Sequence, residues 1–105
     1  MKEKAFYRQG LATSGVPRHM HNGYLRYILE GTQPGDFLMA ILSNDLKEAC
    51  ARGDLENQQV LYQHVYFLYH FAPSNCWGSP EAVKSWIESH QIRRMGMEET
   101  GADPS

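Results

Sequence analysis

Residues 34–53 read PGDFLMAILSNDLKEACARG. Phe37, Leu38, Ile41, Leu42, Leu46 and Ala49 recur at three- and four-residue intervals, the spacing that places side chains on one face of an α-helix. One helix is expected here, starting near Pro34 to Asp36 and ending before Gly53. Upstream, Met20, Tyr24, Tyr27 and Ile28 share a helical face between Pro17, suited to an opening turn, and Gly31, suited to a stop. Arg18, Asn22 and Arg26 fall on its other side. Downstream, Asp54 reads as the N-cap of a third helix that runs to about Phe71, because Pro73 disfavours helical geometry at Ala72. A fourth opens with Ser79 as N-cap, Pro80 at its first position and Glu81 in its first turn. Val83, Trp86 and Ile87 would face the core, with His90 beside them.

Short Gly- or Pro-containing links join these segments, and no alternating β-branched run is flanked by hairpin residues. The expected fold is all-α, a compact bundle of about four helices spanning residues 17–92. Residues 1–16 have no helical apolar repeat and carry Gly10, Thr13, Ser14 and Gly15, so they read as a flexible arm from which Phe6, Tyr7 and Leu11 could dock. Residues 93–105 mix charge with Gly96, Gly101 and Pro104 and read as a disordered tail.

A chain of 105 residues holds one core. Domains of this size often gain stability by self-association, so a homodimer is among the expectations. Ten Lys and Arg against twelve Asp and Glu give a net charge of −2, without the basic excess that favours nucleic acid. The apolar-rich stretch Val60 to Ala72 is interrupted by Gln63, His64 and His70 and is too short for a membrane-spanning helix. The amino end does not read as a secretory signal, so the expected location is the cytoplasm, with Cys50 and Cys76 reduced.

On a helical wheel Asp45 falls within the arc of Leu38, Ile41, Leu42 and Ala49. A carboxylate there is expected to be buried and hydrogen-bonded to Arg26, a Tyr hydroxyl, an indole N–H or a helix start, since an unpaired buried charge costs several kcal/mol. A structural acceptor is the favoured reading over a catalytic one. In the third helix Glu56, Gln59, Gln63 and His70 form a narrow polar strip, flanked by Val60, Phe67 and Phe71 on one side and Tyr62, Tyr66 and Tyr69 on the other. Such a helix should be mostly buried. Its tyrosine flank is the candidate interface, together with Gln63 and His70, because Tyr offers large contact area at low entropy cost.

No metal or cofactor is expected. His64 and His70 diverge on the wheel, His19 and His21 are two apart, and no CxxC or HxxxH occurs. Cys76 precedes a helix start that could favour a thiolate, but packing of Trp77 over the bundle end with a turn at Gly78 is the favoured reading of that loop. There is no GxSxG, P-loop, GxGxxG or HExxH, so the chain is not expected to be an enzyme.

The segments GTQPGDFLMAILSNDLKEA (31–49) and VYFLYHFAPSNCWGSPEAVKSWIE (65–88) resemble a group of short proteins encoded by bacteriophages and prophages, over roughly Tyr24 to Glu88. The resemblance implies an origin, a small accessory protein of an infected or lysogenic bacterium, and carries no activity or site residue. The expected function is therefore binding of a host or phage protein, with inhibition of a host defence system as one form. The alternative is a nucleotide or nucleic-acid binder using Arg18, His19, Arg26 and the Arg93–Arg94 pair, with Tyr rings stacking on bases. A small hydrolase using Asp45 and a nearby His ranks last, for want of an acid and base pair.

Overall fold

The computed structural model describes the backbone of residues 2–102 and the side chains of residues 3–93. Helices α1 (Lys2–Ser14), α2 (His21–Glu30), α3 (Asp36–Leu42), α4 (Leu46–Arg52), α5 (Leu55–Gln59), α6 (Leu61–His70) and α7 (Pro80–Ala102) follow in order, with single 3₁₀ turns at Arg18–Met20 and Ser74–Cys76. No strand occurs among the described residues, so the all-α class holds. The count exceeds four because two expected helices are each broken once and the amino segment is itself a helix.

The first break lies at Ser43, Asn44 and Asp45. Asn44 adopts a left-handed φ of 63°, a conformation Asn tolerates because its side chain can hydrogen-bond locally. The N–H groups of Asn44 and Asp45 donate back to the carbonyls of Ile41 (3.1 Å) and Ala40 (2.8 Å), the paired bonds that close a helix C-terminus. Gly78 N–H donates to the Leu42 carbonyl at 2.7 Å, so this end leaves no orphan acceptor buried. Asp45 then starts α4 as its N-cap, its Oδ1 accepting from Glu48 N–H at 3.1 Å. The expectation that Asp45 is buried is therefore corrected: it is exposed, because the break swings α4 away from the register of α3. Asp45→Ala should cost about 1 kcal/mol, the value of an exposed N-cap, and Asp45→Ser should retain most of that stability. Denaturant unfolding of the two variants checks this.

The second break falls at Val60, whose φ of −118° and ψ of 31° separate α5 from α6. Asp54 caps α5 as expected, accepting from Asn57 N–H at 2.8 Å. Beyond Val60, the positions spaced three and four apart that turn inward are His64, Phe67 and Leu68, all fully buried. Gly31 ends α2 in a left-handed conformation, and Ser79 Oγ accepts from Ala82 N–H to cap α7. Both stand where the sequence places them.

Among the described residues, the segment expected to be a flexible arm is helical over most of its length: α1 packs on α2 and α6, with Leu11 inaccessible and, just beyond the helix, Val16 nearly so. Gly10 permits the approach, since a Cβ there would lie 2.7 Å from Phe71 Cγ. His21 Nε2–H donates to the Val16 carbonyl at 2.8 Å and ties the end of α1 to the start of α2. At the other end α7 passes through the boundary expected at residue 93, in a stretch rich in helix-favouring Arg, Met and Glu. Residues 103–105 of the expected tail lie outside the described residues.

Candidate interaction surface

The core that positions α6 is polar at its centre. Tyr24 of α2, His64 of α6 and Asn57 of α5 are buried together. The Tyr24 hydroxyl lies 2.6 Å from His64 Nδ1, His64 Nε2 lies 3.0 Å from Asn57 Oδ1, and Asn57 Nδ2 donates to Met20 Sδ at 3.4 Å. One proton arrangement satisfies all of these groups. The amide must donate to the sulfur, which has no proton, so Asn57 Oδ1 accepts from Nε2–H and Nδ1 accepts from the phenol. The ring is thus neutral. Burial pushes the His64 pKa down to about 4, with His19 adding to the shift and Asp54 opposing it. The Phe37 ring meets His64 edge-on at 5.2 Å.

With His64 turned inward, geometry decides what turns outward. Residues 62, 65, 66 and 69 occupy the opposite side of α6, and Tyr62 and Tyr69 are 71% and 74% exposed, with Val65 also exposed and Tyr66 half-buried. The expectation of a mostly buried helix is therefore corrected for this side, while the placement of the tyrosines on one flank holds. Their rings are in contact: Tyr62 to Tyr66 at 6.0 Å, Tyr66 to His70 at 4.2 Å and Tyr69 to His70 at 5.1 Å between centroids. Four of the five candidate interface residues thus share one surface. Gln63 is half-buried on another side, where its Cγ would lie 3.3 Å from a Cβ at Gly15.

The surface has a further property. No Asp, Glu, Lys or Arg occurs between Asn57 and Pro80, although 21% of the chain is charged. Depletion of charge with enrichment in Tyr is the composition of the central part of a protein interface. Val65 was not among the candidate residues, and neither were Leu55, 70% exposed on α5, or Phe6, exposed on α1 and 5.8 Å from the Phe71 ring. The signal that could have found Val65 is its three- and four-residue spacing from Tyr62 and Tyr69 once His64 is assigned to the core.

The residues of the other readings are not brought together in this way. Arg18 and Arg26 are exposed, but His19 lies 3.3 Å from Asp54 and 3.7 Å from Glu56, carboxylates that would repel a phosphate. Arg93 lines a cleft of about 320 Å³ with Glu3, Tyr7, Trp86 and His90, and the side chain of Arg94 lies outside the described residues. Near His19 and Asp54 a cleft of about 370 Å³ has Met20, Phe37 and Leu38 as apolar wall and no hydroxyl or thiol in its lining. Cys76 is inaccessible, and burial pushes its thiol up to about 12, the opposite of an activated nucleophile. Its carbonyl accepts from the Tyr27 hydroxyl at 2.6 Å, and Trp86 Nε1–H donates to the Tyr27 carbonyl at 3.0 Å. That loop is thereby fixed to the core. Among the described residues no group of three His, Cys, Asp or Glu could hold a metal ion, and no helix is long and apolar enough to cross a membrane.

Comparison with protein families, with curated proteins and with solved structures gives no match.

Proposed function

We propose that this chain is a small phage-type accessory protein that acts by binding a host or phage protein through the outward face of α6. The observation that supports this reading is the exposure of Tyr62, Val65 and Tyr69, beside Tyr66, on a helix face without a formal charge. Solvated helix faces ordinarily carry charge, and desolvation of aromatic anchors is where interfaces draw most of their energy. Inhibition of a host defence system is one form that such binding would take. The face uses Tyr62, Tyr66, Tyr69 and His70 with Val65.

Capture from bacterial lysate by the immobilised wild-type chain and by a Tyr62→Ala/Tyr69→Ala variant tests the proposal. Both side chains are mostly solvent-exposed, so the variant should fold as the wild type does. A stoichiometric protein held by the wild type should be lost or weakened at least about tenfold in the variant. Equal capture by both would place the contact elsewhere, and nuclease-sensitive nucleic acid in the eluate would favour the alternative reading.

A further inference from the structure

We propose that a second copy of this chain covers the α6 face, the two α6 helices pairing antiparallel about a twofold axis that passes between Val65 and Tyr66. This rests on the reading of that face as a contact surface and names its occupant.

Charge is the first argument. A twofold contact brings each group close to its own equivalent or to a near neighbour of it, so a face bearing formal charge tends to repel its copy. Residues 57–80 carry none, which makes this face compatible with itself and gives it no charge with which to select a different protein. Spacing is the second. Positions 62, 65, 66 and 69 follow the three-four interval by which one helix seats side chains between those of another. Tyr62 and Tyr69 are seven residues apart, about 10 Å along the axis. In an antiparallel pair Tyr62 therefore meets Tyr69 of the copy, while Tyr66 and Val65, equally close to the axis, face each other across it.

Area sets the strength. With a Tyr side chain offering roughly 150–250 Å², Tyr62, Tyr69, Val65 and the open part of Tyr66 supply about 500 Å² per copy. A standard interface takes about 800 Å² from each partner. The pair is accordingly weak and reversible, and a foreign protein using the same face competes with it.

Sedimentation velocity across a wide concentration range reads the pairing directly. The wild type should pass from monomer to dimer, and Tyr66→Glu should raise the dissociation constant at least about tenfold by placing two carboxylates near the axis. In a Cys50→Ser background, Tyr66→Cys should be joined to its copy by a short bis-maleimide, since Cys76 is inaccessible. A wild type that stays monomeric throughout overturns the proposal. So does a dimer that Tyr66→Glu leaves intact with no cross-link from Tyr66→Cys. If the wild type is monomeric but the Tyr62→Ala/Tyr69→Ala variant still loses its captured protein, the contact surface stands and only the second copy is excluded.

Discussion

Gly31→Ala should lower the stability of this protein by about 3 kcal/mol, without any contact being removed. Gly31 closes α2 at a φ of 70°, a left-handed conformation that costs a residue with a Cβ about 1–2 kcal/mol. The new methyl would also clash with His90 Cβ and lie 2.6 Å from its Cγ. A β-carbon cannot swing aside as the far end of a side chain can, so α7 must shift. Overpacking of that kind adds typically 1–3 kcal/mol. The shift would strain neighbouring bonds as well, because His90 Nδ1–H donates to the Trp86 carbonyl and Trp86 Nε1–H to the Tyr27 carbonyl. Gly35→Ala is the control: an added Cβ there meets nothing within 4 Å, and φ is −69°. It should change stability by about 0.5 kcal/mol or less. Equal unfolding midpoints for the two variants would show that Gly31 is not a structural pin.

Helix ends were the most legible part of the chain. Gly31, Asp54 and Ser79 are local devices, and each satisfies orphan backbone groups within a few residues of itself. The break at Asn44 is also local, yet the apolar repeat on both sides of it reads as continuous. Ser43, Asn44 and Asp45 are three turn-forming residues in a row, and their geometry outweighs the repeat because the Leu42 carbonyl finds its donor in Gly78, 36 positions away. The amino helix was hidden for a related reason. Leu11 and Val16 are few anchors for its length, and Gly10 reads as a breaker until Phe71 is known to lie against it.

The candidate surface was half legible. The tyrosine flank follows from the wheel, but its exposure depends on which way α6 is turned, and that depends on His64. Hydropathy counts an imidazole as polar and assigns it outward. Tyr24 and Asn57, 40 and 7 positions away, satisfy both ring nitrogens, and only then is burial affordable. The tyrosines stand outside because a histidine stands inside.

The same histidine should make the fold sensitive to acid. His64 has an ordinary pKa of 6.5 when unfolded, and burial lowers it to about 4 in the folded chain. Between those values the unfolded chain binds more protons than the folded one. Stability must then fall as pH falls, by up to about 1.4 kcal/mol per pH unit. The contribution is fully present above pH 6.5, and about 3 kcal/mol of it is lost once pH has fallen through 4. Protonation also breaks the network geometrically. Nδ1 gains a proton where it accepts from the Tyr24 hydroxyl at 2.6 Å, so the phenol must turn, and a charge is placed in a core bordered by Phe37 and Phe67. Native-state carboxylates in general contribute in the same direction at lower pH, so the comparison must isolate the ring. Denaturant unfolding of the wild type and of His64→Gln at pH 7, 6, 5 and 4.5 does so, the variant starting less stable but with a flatter dependence between pH 6.5 and 5. A ring titration followed by NMR should show the proton on Nε2 and a midpoint near 4. Stability of the wild type that is constant from pH 7 to 4.5, or an equal slope in His64→Gln, would mean that the core accepts the charged ring and that something other than His64 fixes the rotation of α6.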